Sequence, residues 1–226
     1  MKKKIWVILN QNNFLLVLLS KVYNILMFNF KKIKRNSYII NRGAFLRKNK
    51  IIIRGENNKI ILNKGVRLNR CCITMTGNNC TLIIHDETYI ENLAISFEDE
   101  YCEIVIGKKC ILSGGNMAVA ENKSTINIGD NCLFSRNIDI VTTDSHSILD
   151  KNTGQRINYA KSVFVGNNVW IGADVSLLKG TYIEDNCVVG RKALVTKEYH
   201  EGNCIIAGIP AKIIKRDIEW KPERIK

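Results

Sequence analysis

Aliphatic residues recur along this 226-residue chain at intervals that belong to neither a helix nor an ordinary strand. Leu62, Ile84, Ile106 and Ile128 follow one another at steps of 22, and each is followed six residues later by Leu68, Ile90, Leu112 and Phe134. After residue 163 the pattern tightens, and Val165, Ile171, Leu177, Ile183, Val189 and Val195 are spaced by six without a gap. Gly and Asn in the intervening places supply left-handed turn conformations. Very short strands wound around a triangular prism fit this pattern, with the aliphatic residue pointing inward and the residue four later filling the corner. Three six-residue faces make one coil of about 18 residues, so a 22-residue step predicts a coil with about four residues bulged out. One coil cannot bury its own core, so the coils must stack.

Residues 142–162 fit neither register and stand between two regular blocks. A long insertion on a rigid repeat scaffold is usually functional. The organisation expected is a basic, amphipathic helical extension over 1–54, a repeat domain over 55–216 with its inserted loop, and a tail over 217–226.

Charge separates the first of these segments from the rest. The net charge is +13, yet residues 1–54 hold 13 basic side chains and no acid, and the remainder is neutral. The excess therefore belongs to the leading segment, which should prefer an anionic surface. Its longest apolar run is Phe14–Leu19, too short to span a bilayer. Asn10, Asn13, Ser20, Lys21 and Asn24 recur near helical spacing, and Lys31, Lys32, Lys34 and Arg35 follow. This predicts an interfacial helix at an anionic membrane face, or a helix packed on its own domain or a partner subunit. No nucleic-acid motif is present, and no nucleic-acid partner is expected.

Eight cysteines invite a metal or disulfide reading, but no Cys-x-x-Cys occurs. Cys72, Cys110, Cys132 and Cys187 each stand four after an aliphatic position, which predicts small buried apolar groups. Three histidines remain as candidate bases. His85 follows an inward residue and should face solvent; His200 lies in the closing turn; His146 sits in the inserted loop, two places after Asp144.

Thr143-Asp144-Ser145-His146, Val169-Trp170-Ile171-Gly172-Ala173 and Ala207-Gly208-Ile209-Pro210-Ala211-Lys212 resemble the left-handed β-helix, hexapeptide-repeat acyltransferases. Within that family the chain is most similar to bacterial capsule O-acetyltransferases, including those acting on polysialic acid. That likeness lies in Asp144-x-His146, Gly154-Gln155-Arg156-Ile157-Asn158 and the Asn203–Gly208 tail with Trp220 beyond.

The resemblance implies an all-β, left-handed parallel β-helix with a short N-terminal helix, and direct acetyl transfer from acetyl-CoA to a sugar hydroxyl without a metal. His146 would be the general base, a role worth typically about 10²–10⁴-fold. Asp144 would orient the imidazole, bind the acceptor or merely shape the turn. Trp170 would wall the acetyl and pantetheine channel. A backbone N–H at Gly172 or Ala173 would steady the oxyanion, Ala173 and Arg191 would meet the pantetheine, Thr196 and Lys197 would lie near the nucleotide, and Lys212 and Lys215 would suit its phosphate. The family's usual Ser stands as Ala173 here, Arg191-Lys192-Ala193 replaces Ala-Gly-Ser, and Gly114 replaces a common acceptor-binding Asn, for which Asn116 is the nearest substitute.

The resemblance further implies a homotrimer with sites between subunits and a glycan acceptor; the expected location is cytoplasmic, with the basic N-terminal helix leaving open a peripheral place at the inner membrane face. The alternatives are a small soluble acceptor (serine, a nucleotide sugar or a drug), a β-helix carbonic anhydrase and a non-catalytic scaffold. The three histidines are too scattered for a zinc site, and a scaffold would not need the His146 loop.

Overall fold

The computed structural model describes residues 13–225; the Lys2-Lys3-Lys4 run that opens the expected helix lies outside the described residues. Among the described residues are one helix, α1 (Asn13–Leu26), and 25 short strands, β1 to β25. Successive strands step from one sheet to the next, and every third strand returns to the same sheet, building three sheets of eight, eight and nine strands. The result is a left-handed parallel β-helix. The last pair, β24 (Ile205–Gly208) and β25 (Ala211–Lys215), runs antiparallel. No helix among the described residues is long and apolar enough to cross a membrane.

The prism starts earlier than the charge pattern implied. β1 (Phe30–Ile33) already pairs in register with β4 (Lys50–Ile53), so residues 30–47 form the first coil and 50–53 open the second, instead of belonging to a helical extension. The lysines of these strands occupy exposed places. A run of cations therefore reports on surface charge and does not bar strand formation.

The 22-residue coils carry no four-residue bulge. In the first two sheets most strands of these coils turn two residues inward, as in Ile73 and Met75 of β7 (Cys72–Met75) and Leu82 and Ile84 of β8 (Thr81–Ile84). The third sheet places one, such as Ile90 of β9 (Tyr89–Glu91). In the tighter C-terminal part every face contributes one, seen in Leu177, Ile183 and Val189. The extra residues thus widen two faces of the prism, each by one inward and one outward position. All the aliphatic positions of both registers are buried.

Cysteines line the corners as free thiols. Cys110, Cys132 and Cys187 are buried as expected, but Cys72 is half-buried and its neighbour Cys71 takes the inward place. At this corner the inward residue comes three places after the third-sheet aliphatic, as Asn49 after Leu46, Cys71 after Leu68 and Leu93 after Ile90, and not four as Val66 after Leu62. Burial pushes the Cys71 thiol up to about 11 and the Cys204 thiol up to about 12, which suits packing and not nucleophilic chemistry.

Corners demand a left-handed backbone, and Asn holds several, including Asn57, Asn79 and Asn131. Tyr101 and Lys109 occupy equivalent corners with φ of 57° and 55°, so stacking also holds residues that rarely adopt this conformation. Side-chain caps climb the corners: Asp130 accepts from Lys108 N, and Asn167 accepts from Asp130 N.

Candidate functional site

The inserted loop leaves the prism after β16 (Ile138–Val141) and returns at β17 (Val163–Val165). Thr142 anchors its entrance: it is buried, and its hydroxyl bonds both the carbonyl and the N–H of Ala120 on the coil below. Lys161 N donates to Thr142 O at 3.0 Å and closes the neck. Leu149 and Arg156 bridge antiparallel, and Asp150 accepts from the N–H groups of Asn152 and Thr153 at the tip. The insertion is therefore a folded hairpin, not a loose excursion.

Asn158 is the hub of that hairpin. It is buried, its Nδ2 donates to Asp144 Oδ2 at 2.9 Å and to His146 O at 2.8 Å, and its Oδ1 accepts from Ile148 N at 2.7 Å. Glu121 clamps the base from the prism side. Arg156 reaches both its carboxylate oxygens, at 2.6 and 3.0 Å, while Thr143 Oγ1 donates at 2.6 Å and Ala160 N at 3.2 Å. Arg156, with Thr143 and Ala160 behind it, holds the Glu121 carboxyl at about 2, down from 4.5. Asp144 pairs with Lys179, which also donates to Asn158 O at 2.9 Å. Lys179 first, then Asn158, keeps the Asp144 carboxyl below the usual range.

His146 is exposed on this frame. Its backbone is held by Asp144 O and Asn158, whereas its ring makes no hydrogen bond or ion pair with any described residue. The other two imidazoles are engaged. His85 Nδ1 lies 3.2 Å from Asn63 Nδ2, and His200 Nε2 lies 2.9 Å from Glu198 and packs on Tyr182. The Asp144 carboxylate is spent on Lys179 and Asn158, and only its backbone carbonyl touches His146.

Trp170 of β18 (Trp170–Ile171) stands half-exposed on the third sheet, while the hairpin springs from the corner between the first two. Its ring meets Trp220 of the tail at 6.0 Å, and Trp220 Nε1 donates to Asn168 O at 2.7 Å. Gly172 N donates to Val189 O within the coil ladder, so it is not available to an oxyanion; the Ala173 N–H has no partner among the described residues. Arg191 is turned to Asp174, with Nη2 at 2.9 Å. Lys197 and Lys212 line one shallow depression of about 450 Å³, and Thr196 and Lys197 line another of about 330 Å³ with Lys161 and Lys179. Lys215 is exposed on β25. Asn116 bonds Asp139 at 3.1 Å on the outer side of the first sheet. One chain thus gathers the hairpin residues, with Thr196 and Lys197 beside Lys179 at their foot, while Trp170, Ala173 and Arg191 stand apart on the third sheet and its corner. Among the described residues, no group of His, Cys, Asp and Glu could hold a metal ion.

Sequence reasoning missed Glu121 and Lys179. Glu121 stands 22 residues before its partner Thr143, one coil step, so the repeat itself paired them. Lys179 carries no such signal, because its partners enter through the insertion.

A family model described as bacterial transferase hexapeptide (six repeats) matches residues 162–197. A polysialic acid O-acetyltransferase of Escherichia coli O1:K1 / APEC is 37% identical over 86 residues, 38% of this chain and 28% of that protein. One of Neisseria meningitidis is 35% identical over 82 residues, 36% of this chain and 38% of that protein. These matched segments span well under half of either curated relative. Two solved structures match more widely. The polysialic acid O-acetyltransferase OatWY is 35% identical with a TM-score of 0.73, and the polySia specific acetyltransferase NeuO is 28% identical with a TM-score of 0.77. In each case the match covers 87% of this chain and 89% of the other.

Proposed function

The chain belongs to the hexapeptide-repeat acyltransferase family that includes the polysialic acid O-acetyltransferases, and from that premise we propose that it transfers acetyl from acetyl-CoA to a sugar hydroxyl of a bacterial surface polysaccharide or its precursor. One observation carries the reading: His146, its own backbone N–H and carbonyl both held, presents a ring with no partner among the described residues. A base must be fixed in place and still open to its substrate.

His146 takes the proton of the acceptor hydroxyl as its oxygen attacks the thioester carbonyl. The new C–O bond forms, the C–S bond breaks, and the proton passes to the departing thiolate. Asp144 acts as a positioning residue through Lys179 and Asn158. The Ala173 N–H, and not that of Gly172, is the donor left for the oxyanion. The residues present fit acetyl-CoA: Trp170 and Ala173 would border the pantetheine with Arg191, whereas Thr196, Lys197, Lys212 and Lys215 would meet the nucleotide. The hairpin exposes Ile148, Leu149, Ile157 and Tyr159, which supports a homotrimer in which it leans on a neighbouring subunit and faces that subunit's Trp170. An acetyl-CoA donor implies work on the cytoplasmic side.

Thiol release from acetyl-CoA, measured with polysialic acid, other acidic capsules, neutral glycans and serine, tests the reading. The expected result is release with an acidic glycan and a loss of about 10²-fold or more in His146→Ala. Equal release by the variant would remove His146 as the base, and release with serine alone would overturn the acceptor class.

A further inference from the structure

Helix α1 lies across the first coil with its polar side turned inward. Asn24 Nδ2 donates to Ala44 O at 2.9 Å and its Oδ1 accepts from Leu46 N at 2.7 Å. Asn29 follows the helix and bonds Leu46 O and Asn49 N in the same way, at 2.8 and 3.0 Å. These asparagines satisfy backbone groups that a preceding coil would otherwise pair, and so they blunt the open end of a sheet. Leu16 and Ser20 are the residues of the helix that are buried.

Because the polar side is used inward, the apolar side faces away from the protein. Phe14, Leu18, Val22 and Ile25 form one stripe along the helix and are 81%, 49%, 52% and 81% exposed. Phe28, just past the helix, is 86% exposed. Lys31, Lys32 and Arg35 are exposed on the same first coil, and residues 1–54 contain no acid. An ordinary surface helix has the opposite polarity.

We propose that this end of the prism docks on an anionic bilayer surface, with the stripe of α1 lying in the interface and the basic residues over the lipid headgroups. Among the described residues the helix covers Asn13–Leu26, 14 residues, a length that suits a position within the surface plane of a bilayer. Charge selects this occupant: a second copy would bring one cationic rim against another, whereas anionic lipid meets both the apolar stripe and the cations. The inference is independent of the acetyl-transfer reading.

The test is co-sedimentation of the full chain with phosphatidylcholine vesicles, with and without about 30% phosphatidylglycerol, at about 0.1 M salt. Binding to the anionic vesicles should be at least about tenfold tighter. Leu18→Glu/Val22→Glu and Lys31→Gln/Lys32→Gln/Arg35→Gln should each lower it by about tenfold or more, with thermal unfolding unchanged. Raising salt to about 0.5 M should weaken wild-type binding by a similar factor, a readout that needs no variant. Absence of anionic-vesicle binding, indifference to lipid charge and salt, or full binding by the Leu18/Val22 variant would each overturn the proposal. A self-associated species that Leu18→Glu/Val22→Glu abolishes, without vesicle binding by the wild type, would assign the stripe to a second copy.

Discussion

The side-chain amide of Asn158 donates to the backbone carbonyl of His146 at 2.8 Å, across the mouth of the inserted hairpin. The same nitrogen holds Asp144, so a single buried group sets the path of the chain on both sides of Ser145. Asn158→Ala should lower kcat by about 10- to 100-fold, because a base displaced by about 1 Å loses that much. The KM for acetyl-CoA should change little, since Asn158 lies on the hairpin and not on the third sheet. Steady-state kinetics with both substrates varied would check this; a change confined to the coenzyme KM would contradict it.

Glu121 gives the hairpin a pH dependence of known sign. Its carboxyl sits lower in the folded chain, about 2 against 4.5. A depressed carboxylate contributes stability above its unfolded value and loses it as pH falls through the folded one. The hairpin should therefore hold its hydrogen-exchange protection around pH 5 and lose it progressively between about 4.5 and about 2. Glu121→Gln should abolish that transition and leave the hairpin less protected at neutral pH. Protection that follows the same acid profile in the variant would assign it to another group.

The tilted contact of Trp220 with Trp170, at 41° between rings, ties the tail to the proposed coenzyme wall. Aromatic pairs contribute about 0.5–1.5 kcal/mol beyond burial. Trp220→Ala should thus raise the acetyl-CoA KM about 3- to 10-fold and leave kcat at saturation nearly unchanged. It should also alter the fluorescence of the remaining tryptophans. An unchanged KM would separate the tail from coenzyme binding.

Two glycines should respond differently to the same substitution. A Cβ on Gly77 would overlap the backbone oxygen of Asp99 on the next coil, so the coils must part. Gly77→Ala should cost about 3 kcal/mol or more. Gly154, at the hairpin tip with φ of 68°, has nothing within 4 Å of such a Cβ, and Gly154→Ala should cost only about 1 kcal/mol. Thermal unfolding of the two variants checks the contrast, and equal shifts would refute it.

The prism was legible in the sequence because its period is local. An inward residue every six positions, from Val165 to Val195, repeats one face, and a 22-residue step carries the register from Leu62 to Ile128. The same periodicity isolates residues 142–162 and so makes His146 conspicuous. Where the coil starts was less visible, because the charge of residues 30–53 concerns side chains that face solvent and is blind to the ladder joining Phe30 to Lys50.

Only the tertiary structure decided which groups meet. The Lys179–Asp144 and Arg156–Glu121 pairs lie 35 residues apart in the chain, beyond either register, because the insertion brings them together. It also decided that Gly172 N is consumed by the ladder while Ala173 N is not, and that Asn24 turns inward and leaves the apolar stripe of α1 outside. Periodicity fixes which way a side chain points along one coil. Which partner it finds depends on stacking between coils and on the hairpin folded back over them, and neither repeats along the sequence.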